Sequence, residues 1–188
     1  MWTSPESLLL HDCSMKRPDE LDLAASKPIE FEFRMMTCQA REFLIDCPTE
    51  IFEFKNCRTD ALLEAWLMHI RLLDEFFRTN RGIKNNEFMT ADHWPLNSKP
   101  VGFLDQDNRN AVNRQLAHLK WERKRWEDDG MRPPWERNIR NWTSACCLEL
   151  IRFIDSIPHE RKSAFDGART QAEKWLKSPE SKPLLPET

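Results

Sequence analysis

Apolar residues recur every three or four positions through most of the chain, the period of a helix with one buried face. The clearest run carries Leu63, Trp66, Leu67, Ile70, Leu73 and Phe77, with Thr59 as its expected N-cap and Asn80, Arg81 and Gly82 at its end. A second stripe of about six turns joins Trp135, Ile139, Trp142, Cys146, Leu150, Phe153 and Ile157, opened by Pro133 and Pro134 and closed or kinked by Pro158. Between them a helix from about Leu104 to Trp126 places Val112, Leu116, Leu119 and Trp126 on one face, and Asp128, Asp129 and Gly130 break it. A shorter helix from about His159 to Leu176 buries Phe165, Ala168, Ala172 and Trp175 or Leu176. An earlier helix from about Glu30 to Ile45 stops ahead of Pro48. Strict alternation occurs only in I-E-F-E-F, Ile29 to Phe33, which reads as a short strand.

These elements predict an all-α fold, an antiparallel bundle of four to five helices with Leu67 and Ile70 at its centre. The domain spans residues 29–176, flanked by loose tails at 1–28 and at the proline-bearing 177–188. A polar connection with Asn85, Asn86, Pro95 and Pro100 holds a short helical turn around Glu87 to His93.

At 188 residues, one domain can bury a core without metal or disulfide. A net charge of −3 with 31% charged residues excludes a globally electropositive nucleic-acid binder. Four glycines and the lack of any phosphate-loop or nucleophile-elbow string exclude dinucleotide enzymes, P-loop NTPases and serine hydrolases. No convergent His and carboxylate set calls for a metal, and no cofactor is implied. Without a basic and apolar leader or a long apolar run, the expected place is the cytoplasm, away from membranes. The six cysteines lack C-x-x-C spacing and are expected as thiols.

The segment with chemistry is Arg109 to Trp126. If Val112, Leu116 and Leu119 face inward, Arg114, His118, Trp121 and Arg125 share a stripe roughly 120° from that face. Arg114 and His118, one turn apart, suit phosphate binding and proton transfer, and Trp121 suits base stacking or a partner surface. The plain alternative is a solvated face of charges with i,i+4 ion pairs. On the long helix, His69 reads as a packed histidine, and Arg71 and Asp74 as a pair with each other or across to the next helix.

Leu62 to Phe77 (L-L-E-A-W-L-M-H-I-R-L-L-D-E-F-F), the D-x-W at Asp92 to Trp94 and N-R-Q-L-A-H-L at Asn113 to Leu119 together resemble small bacterial helical proteins connected with the HEPN superfamily. The resemblance covers about a third of the chain. It implies a four- to five-helix bundle that pairs as a homodimer and a metal-independent RNase or RNA- or nucleotide-binding domain of a toxin or defence system. It further implies His118 as the proton-exchanging group and Arg114 as the group that stabilises phosphate charge. Asn113 would orient them, with Arg71 and His69 in second line, and Trp121, Arg125 and Arg109 would bind RNA. The superfamily separates its arginine and histidine by four to six residues; here three lie between Arg114 and His118, and eight between Arg109 and His118. The competing function is a non-catalytic helical module that docks onto itself or another protein, for which Trp94, Trp121 and Trp126 are candidate contacts.

Overall fold

The computed structural model describes residues 18–46, 57–78, 91, 101–116 and 135–182. Its helices are α1 (Pro18–Asp46), α2 (Cys57–Phe77), α3 (Gln106–Leu116), α4 (Trp135–Ser156), the single turn α5 (His159–Lys162) and α6 (Asp166–Lys177). Short 3-10 turns cover Ser163–Phe165 and Pro179–Ser181. Among the described residues there is no strand, and the all-α bundle expected from the periodicity is what forms.

The alternating I-E-F-E-F segment is helical. Ile29 and Phe33 satisfy both periods, and the longer register decides: Ile29, Phe33, Met36, Ala40 and Phe43 are all buried at spacings of four and three, whereas Phe31 stays 46% exposed. α1 also reaches back to Pro18, so residues 18–28 extend the helix instead of forming a separate tail. Pro18 stands at its first position, where a missing N–H costs nothing, and Pro28 is tolerated inside it. At the other end, residues 178–182 are held on the bundle. Arg140 donates to the Glu180 carbonyl at 2.9 Å, and Arg41 approaches the Glu180 carboxylate at 3.6 Å.

α2 begins at Cys57, two residues before the expected cap at Thr59, and ends at Phe77. α3 begins at Gln106, because Asp105 caps it: the Asn108 N–H donates to Oδ1 at 2.7 Å and the Asn108 amide to Oδ2 at 3.0 Å. Of the turn expected around Glu87 to His93, only Ala91 lies within the described residues, buried in a 3-10 conformation.

α1, α2, α4 and α6 enclose the core. Trp66 stacks on Trp142 at 5.8 Å while Phe77 meets Phe153 at 6.2 Å, so α2 and α4 run in the same direction. Ser144 meets Trp175 and Asp155 meets Arg169, so α4 and α6 run antiparallel. Phe76, Phe77, Phe153 and Phe165 interlock edge to face, with centroids 5.1 to 6.2 Å apart. The buried Trp66 indole donates to Thr143 at 3.1 Å and the half-buried Gln171 amide to Thr37 at 2.7 Å, whereas the buried indole N–H of Trp135 has no partner among the described residues. The whole stripe from Trp135 to Ile157 is buried, as are Leu67 and Ile70.

Two measurements check this packing. Leu67→Ala or Ile70→Ala is expected to lower unfolding free energy in urea by about 2–5 kcal/mol, through lost transfer energy and a residual cavity. The second concerns the buried thiols of Cys146 and Cys147. Burial pushes both well above the ordinary value of 9.0, and for Cys146 the neighbouring Cys147, Asp74 and Glu149 add to it. In the folded protein both are expected to resist alkylation at pH 8 while exposed Cys38 reacts, as site-resolved mass spectrometry would read. Since the unfolded chain loses these protons first, stability is expected to fall as pH rises above about 9, and Cys147→Ala should flatten that fall.

Candidate functional site

The geometry centres on a buried acid. Asp74 sits on the core side of α2, one helical turn after Ile70, and is 2% exposed. Its Oδ1 accepts the N–H groups of Phe103 and Leu104 at 2.9 and 3.0 Å. Its Oδ2 meets Arg78 Nε at 2.6 Å and Arg109 Nε, from α3, at 3.4 Å. Arg78 also donates to the Leu104 carbonyl. From the opposite side, buried Glu149 on α4 accepts the Val101 N–H at 3.2 Å and holds Arg152 at 2.8 Å. Residues 101–104 are thus gripped between two helices, and Asp105 then starts α3 beside α2.

Gly102 is required in this loop. Its φ is +78°, and a Cβ there would come within 2.8 Å of Asp74 Oδ1 and 2.9 Å of Arg78 Cγ. Of the two partners expected for Asp74, the cross-helix one forms; Arg71 turns instead to Glu75 at 2.9 Å.

Where α3 crosses α2, a shallow cleft of about 10 Å³ opens to solvent, lined by Arg71, Asp74, Glu75, Leu104, Arg109, Val112 and Asn113. Three of the residues singled out from sequence, Arg71, Arg109 and Asn113, therefore meet at one place. Its enclosed space is about that of one water molecule, so an incoming group would rest at the rim, against the exposed guanidinium of Arg71. Its two guanidinium groups are not equivalent. Arg71 is half exposed and its pair with Glu75 is an exposed i,i+4 contact, worth well under about 1 kcal/mol and readily exchanged for an incoming anion. Arg109 is committed to the buried Asp74 and helps to fix α3.

The other candidates lie elsewhere. His69 projects from a different side of α2 towards α1, where its Nδ1 lies 2.5 Å from Glu32 Oε2 and its ring meets the edge of Phe31. It is held against α1, apart from the cleft. Arg114 is exposed and donates to the Asn110 carbonyl at 3.3 Å, on a side of α3 that does not line the cleft. His118, Trp121 and Arg125 lie outside the described residues, as do Trp94 and Trp126.

Asp74, Arg78, Asp105 and Glu149 were not picked out from sequence as organising residues. A carboxylate inside each apolar stripe was the available signal, since unpaired acids are almost never fully buried. Among the described residues no cluster of His, Cys, Asp and Glu is placed to hold a metal ion, and no helix is long and apolar enough to cross a membrane. No family model, curated protein or solved structure matches the chain.

The clamp makes a graded prediction for unfolding in urea. Asp74→Ala strands two N–H groups and two arginines and is expected to cost about 3–5 kcal/mol. Asp74→Asn keeps an acceptor for the loop and should cost less. Gly102→Ala is expected to lose about 1–3 kcal/mol through strain at positive φ.

Proposed function

We propose that the protein is a HEPN-like helical domain of the cytoplasm that binds RNA along α3, works as a homodimer, and takes an RNA phosphate at the cleft between α2 and α3. The observation that supports this reading is the convergence of Arg71, Arg109 and Asn113, from two helices, on one solvent-open cleft. An RNA phosphate displaces Glu75 from Arg71 and gains a charge-assisted pair, while Asn113 donates from the opposite wall. In the same reading His118 exchanges the proton of the attacking 2′-hydroxyl or leaving oxygen, and Arg114 stabilises the charge on phosphorus-bound oxygens.

The test uses labelled single-stranded RNA of mixed sequence in EDTA. The wild type is expected to bind with strong salt dependence, and Arg71→Ala should reduce the slope of log affinity against log salt by about 0.7, one phosphate contact's worth. His118→Ala is expected to abolish cleavage while leaving binding and the melting temperature nearly unchanged. A wild type that neither binds nor cleaves overturns the reading, and a His118→Ala variant that unfolds assigns that histidine to the core. A protein-docking role is favoured by a separate observation, the apolar residues left exposed on the outer side of α1 and α2, namely Phe31, Ile45, Met68 and Leu72.

A further inference from the structure

α2 carries a second apolar stripe on the face opposite its core face. Ala61 and the large residues Met68 and Leu72 are exposed, the latter two by 55% and 45%, and Ala65 is half-buried. Single exposed apolar residues are ordinary on a protein surface, but these four are spaced by four, three and four, the a/d rhythm of a helix-pairing seam. Phe31 of α1, packed edge-on against His69, adds exposed aromatic surface along one border of the seam.

The order of sizes along the seam says what fits it. When two copies of α2 lie antiparallel about a two-fold axis passing between positions 66 and 67, Met68 falls opposite Ala65 of the second copy and Leu72 opposite Ala61, each pairing made twice. Large side chains meet small ones at every layer, which lets the backbones approach closely. On one flank of the seam, Glu64 and Arg71 stand two turns apart. In the antiparallel arrangement that flank meets its own copy, and Glu64 faces Arg71 of the second copy, again twice. A parallel pair would instead set each seam residue against its own copy, Leu72 on Leu72 and Ala65 on Ala65, and would take Glu64 and Arg71 to opposite flanks, losing their contact. The order of sizes selects a second copy in the antiparallel direction, and the Glu64–Arg71 contact is made only there.

We infer that the protein forms a two-fold dimer through antiparallel packing of α2 on α2, with Ala61, Ala65, Met68 and Leu72 as its seam. This deepens the dimeric part of the function proposed above and stands whether or not RNA binds. Arg71 and Glu75 line both the seam's flank and the cleft, so the dimer carries its two clefts on one side, where a single extended ligand can reach both.

Light scattering at micromolar concentration is expected to give twice the chain's 22.4 kDa for the wild type and the single-chain mass for Met68→Glu and Leu72→Glu, whose circular dichroism stays helical because both residues are exposed in one chain. Direction is read by oxidative crosslinking. The double variant Ala61→Cys/Leu72→Cys is expected to give a reducible dimer band above the wild-type background, and Leu72→Cys alone none, since the two copies of position 72 lie on the order of 16 Å apart along the axis. A monomeric wild type, a dimer that survives Met68→Glu, or crosslinking by Leu72→Cys alone each overturns the proposal. So does unfolding of Met68→Glu, which would place that side chain inside the single-chain core. Loss of RNA binding with the dimer intact overturns the RNA reading and leaves this one standing.

Discussion

The carboxylate of Asp74 is the constraint on which the relation between the helices depends. A carboxylate withdrawn from water carries a large desolvation cost, and it persists only where every lone pair is used. Asp74 meets that condition with two main-chain N–H groups and the guanidinium groups of Arg78 and Arg109. These partners come from three pieces of chain: Arg78 just after α2, the loop at 101–104, and α3. Satisfying one charge therefore positions three segments at once, and apolar contact between α2 and α3 alone would not do so. α3 has low intrinsic apolarity, with Val112 its one fully buried large apolar side chain among the described residues. Electrostatics substitutes there for a hydrophobic face.

α2 is correspondingly a helix with three duties. One side enters the aromatic core through Leu63, Trp66, Leu67, Ile70 and Phe77. Its C-terminal turn holds α3 through Asp74 and Arg109, while Arg78 just beyond it grips the Leu104 carbonyl. The side away from the core keeps an apolar seam in water. A helix that serves only one core has no use for the last of these, and polar residues at 68 and 72 would leave the bundle intact.

The bundle was legible because its stripes are long: six turns from Trp135 to Ile157 leave no other period to fit, and all seven stripe residues are buried. The short Ile29 to Phe33 run misled, since five residues cannot separate a period of two from one of four, and only the continuation to Met36, Ala40 and Phe43 decides. The helical stretch at 18–28 was obscured by its polar composition and by Pro28. For the site, Arg71, Arg109 and Asn113 could be named but not placed, because their meeting depends on how α3 crosses α2. That crossing is set by Asp74, Glu149 and Gly102, whose roles are three-dimensional: a buried acid looks like any other acid in a sequence until the groups that surround it are known. His69 shows the reverse case, where the sequence reading of a packed histidine agrees with its place against Glu32 and Phe31.

The grip on residues 101–104 is made almost entirely on main-chain atoms. Glu149 holds the N–H of Val101, and Asp74 holds those of Phe103 and Leu104. Such a grip is blind to side-chain identity, so position 101, whose valine is 68% exposed, is free to drift among nearly all residues without moving the cleft. Proline is the exception at 101, 103 and 104, because it brings no N–H to be held. The loop can thus change its outward chemistry, and with it what the neighbouring cleft meets, while the two acids that anchor it stay fixed.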